Sequence, residues 1–290
     1  ALQAAIDAAE AEIFLETYIF ANDETGHGIA AALRRAAGRG VTVRLMVDGF
    51  GGREFVADLM DELTAGGVNV LIYRREVTTL SLRRHRLRRL HRKLAVIDGR
   101  VAFVGGINII SDFDAPGLAA PRQDYSVRVT GPLLGPIHGS VTRVWELVSW
   151  ASFRKRRRLP ASPPVFTEPC GDVDAAFLIR DNLRHRRDIE DAYLLAIAAA
   201  RREIVLANAY FLPGRRFRQA LLSAAKRGVR VTLLTQGWTD HPLQHRATRA
   251  LYGQFLAGGV RIFEYHRSHL HAKVAVVDDI WATVGSSNID

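Results

Sequence analysis

Lysine is nearly missing from this chain. Of 40 basic residues only Lys93, Lys155, Lys226 and Lys273 are lysines, and the rest are arginines. Cysteine is scarcer still, and Cys170 alone excludes an internal disulfide framework and any cysteine-based zinc site. Long apolar runs are missing too. Stretches such as Ala192 to Ala200 fall far short of the about 20 residues needed to span a bilayer, and no signal-peptide pattern is visible. Ala1 lies inside a helical pattern and Asp290 inside a motif, as expected of a sequence cropped at both ends, so missing targeting segments carry little weight. Acidic residues are outnumbered, leaving a net charge of +10. Such a balance favours a polyanionic partner: nucleic acid, an anionic membrane surface or a phosphorylated substrate. A merely solvated basic surface has the same composition.

What is present is a repeat. Leu90-His91-Arg92-Lys93-Leu94-Ala95-Val96-Ile97-Asp98, continued by Gly105-Gly106-Ile107-Asn108, returns as Leu270-His271-Ala272-Lys273-Val274-Ala275-Val276-Val277-Asp278, then Gly285-Ser286-Ser287-Asn288. The paired His, Lys, Asp, first Gly and Asn positions are all 180 residues apart, which marks a duplication. Two of the four lysines sit two residues after the duplicated histidines. In so arginine-biased a chain, a compact ammonium there signals a local chemical demand.

The 290 residues suffice for one large or two moderate domains. Strand patterns at 13–20, 41–47 and 68–73 alternate with helical patterns at 29–37 and 54–65, with 22–28 as a loop. The second half repeats the order, with helices at 188–200 and 219–226 and one ending at Ala257, and strands at 203–210, 229–234 and 260–265. The predicted class is α/β, two α/β sandwich domains with mixed sheets. The division is 1–153, a linker at 154–175 and 176–290. The linker carries the basic run Arg154-Lys155-Arg156-Arg157-Arg158 and several prolines, and beside a lipid surface each charge could add about 1 kcal/mol of attraction. A helix at 132–150 places Ile137, Val141, Val144, Trp145 and Val148 on one face, a core stripe. The first half alone inserts Arg74, Arg75, Arg83, Arg84, His85, Arg86, Arg88 and Arg89 before its motif. That segment is either a solvated loop or a flap gripping phosphates or anionic headgroups.

Asp98-Gly99 predicts a two-residue hairpin turn that pairs Val96 with Val101 and His91 with Gly106. His91, Lys93, Gly106 and Asn108 would then share one face, as would His271, Lys273, Ser286 and Asn288. Each half offers an imidazole, an ammonium and an amide, with hardly any acid on that face. That set suits a phosphate diester. Ammonium and amide donors can hold non-bridging oxygens, and one imidazole can attack phosphorus while the other moves protons. An imidazole's unperturbed pKa of about 6.5 makes the neutral nucleophile accessible. With no carboxylate cluster beside the motif, metal-independent, cofactor-free chemistry is expected. Asp98 and Asp278 have two readings, a turn residue or a catalytic acid. Asp124, in Gln123-Asp124-Tyr125, is either a structural residue opening a strand or the acid that orients an imidazole. His241 and His245 have helical spacing but no third ligand, and His266 and His269 flank the second motif, where they could touch substrate.

These residues resemble the phospholipase D superfamily, marked by a duplicated His-x-Lys-x4-Asp motif with Gly-Gly/Ser-x-Asn downstream. Leu15-Glu16-Thr17-Tyr18-Ile19-Phe20, Gln123 through Val127, Arg180 through Arg186 and Trp281 through Asn288 further resemble the bacterial cardiolipin synthases. The resemblance implies a pseudo-twofold pair of domains with one active site between them, and ping-pong transfer through a phosphohistidine. It implies His91 as nucleophile, His271 as general acid and base, and Lys93, Lys273, Asp98 and Asp278 as the remaining motif residues. Asn108, Asn288, Ser286 and Gly106 would bind substrate, and Asp124 would support a catalytic histidine. The matching acid of the second half would fall beyond Asp290. The implied substrates are phosphatidylglycerol as acceptor and a second phosphatidylglycerol or phosphatidylethanolamine as donor. The implied location is peripheral, on the cytoplasmic side of a bacterial inner membrane. The competing function is a phosphodiesterase or nuclease acting on nucleic acid, disfavoured because no strand-tracking series of aromatic and basic residues is present. A non-catalytic anion-binding module fits poorly with two complete motifs.

Overall fold

The duplication reappears as two sheets of matching topology. A computed structural model describes residues 1–74, 89–113, 120–152, 160–181, 185–238 and 242–289. The chain divides into two compact units, Ala1–Ser111 with Val127–Phe177, and Asp112–Ser126 with Leu178–Asp290. Residues 112–126 therefore fall in the second unit, and 160–177 in the first. The basic run at 154–158 and the arginine insertion, Arg74 and Arg89 apart, lie outside the described residues.

In the first unit, β1 (Glu12–Thr17), β2 (Thr42–Asp48) and β3 (Asn69–Tyr73) run parallel. The hairpin of β4 (Leu94–Ile97) and β5 (Val101–Gly105) joins β1 antiparallel, and β6 (Ser126–Val129) closes the order β3-β2-β1-β4-β5-β6. All six residues of β1 are buried because helices cover both faces. Helices α1 (Leu2–Asp7), α2 (Glu24–Gly38) and α3 (Met60–Ala65) pack on Ile13, Leu15, Val43, Leu45, Ala95 and Ile97. On the other face the apolar stripe of α4 (Leu134–Ala151) meets Phe14, Leu94, Val96 and Ala102.

Helix α2 begins well before the predicted Ile29. Asp23 caps it by accepting the Gly26 N–H at 2.8 Å, which turns the expected loop into a first helical turn. Gly26 is needed there, since a Cβ would lie 1.9 Å from the Ala21 carbonyl oxygen. Residues 55–59 form a π-helical stretch leading into α3, not a uniform α-helix.

At the start of β1, Glu12 accepts from Arg44 at 2.8 Å and from Ser162 and His138 at 2.7 Å each. Burial alone would raise its pKa, but these hydrogen bonds and the charges of His138 and Arg44 bring it below the ordinary value. This network ties 160–177 to the first sheet, helped by Phe166 N–H donating to Gly99 O.

In the second unit β7 (Glu203–Asn208), β8 (Arg230–Gln236) and β9 (Arg261–Tyr265) are parallel. The antiparallel pair β10 (Lys273–Val277) and β11 (Trp281–Val284) completes the order β11-β10-β7-β8-β9. Helices α5 (Asp188–Ala199), α6 (Arg215–Lys226) and α8 (Tyr252–Ala257) bury one face around Ile204, Leu206, Leu233 and Ala275. Helix α7 (Pro242–Ala250) precedes α8. Among the described residues no helix is long and apolar enough to cross a membrane.

Candidate active site

Both motifs enter their sheets as the strand beside the central one, β4 beside β1 and β10 beside β7. The predicted hairpin register is overturned by one residue. Ile97 pairs with Val101 and Val277 with Trp281, so three residues turn the chain in each copy. Asp98 and Gly99 have φ of 52° and 60°, and Asp278 and Asp279 have 54° and 61°. Two successive left-handed residues close the turn with Arg100 N–H on Ile97 O and Ile280 N–H on Val277 O. An extra residue then shifts the ladder, and Gly105 N–H reaches Lys93 O while Gly285 N–H reaches Lys273 O. The expected pairing of His91 with Gly106 is therefore displaced by one residue; β5 ends at Gly105 and β11 at Val284, before Asn108, Ser286 and Asn288.

The motif aspartates have structural work. Asp98 accepts backbone N–H groups from Glu10, Ala11 and Glu12 at 2.8–2.9 Å. Asp278 accepts from Arg201, Arg202 and Glu203 at 2.7–2.8 Å. The Glu203 N–H, then that of Arg201, holds the Asp278 carboxyl below its ordinary pKa. Each aspartate locks its hairpin to the chain entering the central strand.

The other end of each motif is held with equal regularity. The Leu90 N–H donates to Asp48 Oδ2 at 2.7 Å, and the Leu270 N–H to Gln236 Oε1 at 3.0 Å. Asp48 and Gln236 are the last residues of β2 and β8, each followed by glycine. Lys93 and Lys273 are 5% and 2% exposed, and each donates to the carbonyl of its own motif histidine. This contact fixes each ammonium beside its imidazole.

The surroundings of the two histidines differ. His91 packs against Tyr18 with ring centroids 5.2 Å apart, and Lys93 Nζ lies 5.3 Å over the same ring. Burial and the nearby Asp48 charge raise the Tyr18 pKa, against the opposing charges of Arg89 and Arg53. In the second sheet the residue after the central strand is Ala209, and His271 Nδ1 bonds instead to Asp124 Oδ2 at 2.6 Å. Both side chains of that pair are largely buried, at 14% and 6% exposure. Asp124 reaches His271 because the Gln123 and Leu270 backbones bridge, with His271 N–H on Gln123 O. A carboxylate can only accept, so Nδ1 carries the proton of this bond.

Asn108 is buried and accepts the Ile19 N–H at 3.1 Å, whereas Asn288 Oδ1 is buried with no hydrogen-bond partner. The Arg180 guanidinium donates to Ser287 Oγ at 3.5 Å. Behind the first motif, Arg92 places Nε 3.1 Å from Glu16 Oε2 and donates to Ser140 at 3.0 Å. Burial pushes the Glu16 pKa up to about 7, with Arg92 opposing. His266 approaches Glu264 at 3.5 Å, and the His269 carbonyl accepts the Gln123 N–H. His241 lies outside the described residues.

Tyr18, Asp48, Gln236 and Glu16 carry no motif signature of their own in the sequence. Tyr18 and Glu16 sit within the Leu15–Phe20 string. Aligning the two second strands on their terminal polar-glycine pairs, Asp48-Gly49 and Gln236-Gly237, would have exposed the other two.

A family model described as cardiolipin synthase, phospholipase D-like domain, matches residues 2–112 and 193–290. Cardiolipin synthase B of Escherichia coli K12 is 41% identical over 286 residues, covering 99% of this chain and 68% of that protein. Cardiolipin synthase B of Salmonella typhi is 42% identical with the same coverage. A cardiolipin synthase of Geobacillus kaustophilus is 32% identical, covering 99% of this chain and 57% of that protein. The fold is shared with phosphatidylserine synthase of Haemophilus influenzae, at a TM-score of 0.63 and 12% identity, covering 100% of this chain and 75% of that one. The chain belongs to the cardiolipin synthase family of phospholipase D-like proteins.

Proposed function

We propose that this protein is a phosphatidyltransferase that makes cardiolipin, using phosphatidylglycerol as acceptor and acting at an anionic membrane surface. The observation that carries the reading is the pair of complete, equally braced His-Lys motifs in a chain 41% identical to a cardiolipin synthase B over nearly its whole length.

In the proposed sequence a ring nitrogen of His91 attacks the phosphorus of the donor lipid. The P–O bond to the headgroup breaks, and His271 gives its Nε2 proton to the departing oxygen. The phosphatidyl group is then bonded to His91. A hydroxyl of the acceptor gives its proton to His271 and its oxygen attacks phosphorus. The N–P bond breaks, and both histidines return to their starting states. Lys93 and Lys273 stabilise charge on the non-bridging oxygens. Asp124 holds the His271 ring in orientation and favours its imidazolium, the form that gives the proton to the departing oxygen and is restored by the acceptor hydroxyl. Asp98 and Asp278 are assigned here to the hairpins and take no part in proton transfer.

Purified enzyme incubated with labelled phosphatidylglycerol vesicles should yield cardiolipin, and His91→Ala and His271→Ala should each lower the yield by at least a thousandfold. Cleavage of plasmid or single-stranded DNA without lipid turnover would overturn the reading in favour of a nuclease.

A further inference from the structure

Next to His91 the first unit holds two guanidinium groups on one exposed aromatic ring. Arg53 Cζ lies 4.2 Å and Arg89 Cζ 4.7 Å from the ring centroid of Phe50, which is 40% exposed. Like charges gathered on one small ring repel unless an anion joins them. Among the described residues neither guanidinium has a carboxylate partner, and Arg89 Nη1 is buried with no hydrogen bond. A buried N–H of a cation left without an acceptor is costly, so such a group marks a place for an anionic oxygen. Asp48, the acid beside them, is committed to the backbone N–H groups of Phe50, Gly51 and Leu90.

The cluster is continuous with the motif. Arg89 stands two residues before His91, and Phe50 follows the strand whose end anchors Leu90. The 50–53 loop leans on the ring that supports the histidine, since a Cβ on Gly51 would lie 3.0 Å from Tyr18 Cε1 and Cε2. Through Tyr18 and Leu90 the arginine cluster is thus tied to the His91 end of the motif.

Resting on the transferase reading above, we propose that Arg53 and Arg89 bind the phosphate diester of the acceptor lipid and so select phosphatidylglycerol over uncharged alcohols and water. Cardiolipin carries two phosphates joined by one glycerol, so making it requires the enzyme to hold a second anion one glycerol away from the reacting one. The motif lysines serve the reacting phosphate, and the two arginines serve the other. Phe50 lines the guanidinium planes and offers an apolar edge to the lipid.

The test uses water-soluble acceptors with donor lipid held constant in mixed micelles. The intact enzyme should use glycerophosphoglycerol, the deacylated acceptor headgroup, at a KM at least tenfold below that of glycerol. In Arg53→Gln, at an exposed position, and in Arg89→Gln, the ratio of the two KM values should collapse toward one. A ratio of one in the intact enzyme, or a ratio the substitutions leave intact, overturns the proposal. Inhibition by inorganic phosphate as strong as that by glycerophosphoglycerol would make this a general phosphate site, and an oligonucleotide competing with the same arginine dependence would reassign it to nucleic acid. Either result overturns the acceptor assignment. If the intact enzyme turns over no phospholipid, the transferase reading fails by itself. Calorimetry with glycerophosphoglycerol then decides the site: saturable binding lost in both variants supports it, and no binding contradicts it.

Discussion

His91 lies against an aromatic ring and His271 against a carboxylate, although the strands that present them are built alike. In both copies an aspartate clamps the hairpin, a side chain at the end of the second strand holds the residue before the histidine, and a buried lysine grips the histidine carbonyl. The duplication has kept the scaffold; the ring against His91 is Tyr18, and the carboxylate on His271 is Asp124. A carboxylate on Nδ1 suits a ring that must gain and lose a proton, whereas an aromatic face fixes a ring without adding charge. The Asp124–His271 pair supports the proposed role of His271 in moving protons.

The sharpest way to break this contrast is to remove each neighbour. Asp124→Asn should lower kcat by about 10²- to 10⁴-fold by spoiling the tautomer and orientation of His271, and should flatten the alkaline or acid limb that His271 contributes to the pH–rate profile. Tyr18→Leu should cost only about tenfold, as expected for lost packing and a lost cation–π contact, with both limbs retained. Steady-state rates across pH for the two variants decide the point, and equal losses with equal profiles would erase the distinction.

A smaller effect comes from the backs of the motifs. Glu16 pairs with Leu94 in the first sheet, and the matching partner of Val274 in the second is Ala207. Only the first half therefore buries a carboxylate there, behind Arg92, and burial pushes its pKa up to about 7. The unfolded chain ionises this group near the ordinary glutamate value of 4.5. Folding is therefore unpenalised below that pH, loses stability as pH rises toward 7, and carries the full cost above it. Glu16→Gln should thus gain stability relative to the parent between pH 5 and pH 8, by about 2–3 kcal/mol at most. Denaturant unfolding at both pH values measures this, and a gap that narrows as pH rises would refute the assignment. Ala207→Gly, the control in the second half, should show no such pH dependence.

How much of this was legible beforehand follows the physics of each feature. The duplicated motif, the alternation of strand and helix and the core stripe of α4 are local patterns, and each could be read from spacing alone. The hairpin register could not. Asp98-Gly99 has the composition of a two-residue turn, but the Asp98 side chain also binds residues 10–12, and that distant demand accompanies a three-residue loop. Tyr18, Asp48 and Gln236 act on the motifs only because the sheet order sets β1 beside β4 and β2 beside β1, and likewise β7 beside β10 and β8 beside β7. Sequence neighbours do not encode that adjacency. The start of α2 is not legible in the sequence, because glycines at 26 and 28 have the composition of a loop, and only the Asp23 cap and the crowding at Ala21 make them helical.

The central claim, that the halves are similar in build and unequal in role, is tested most directly by trapping the intermediate. His271→Ala enzyme exposed briefly to donor lipid and quenched at alkaline pH, where a phosphoramidate survives, should carry the phosphatidyl adduct on His91 by peptide mass spectrometry. An adduct on His271 in the His91→Ala enzyme, with none on His91 in the reverse experiment, would contradict the account.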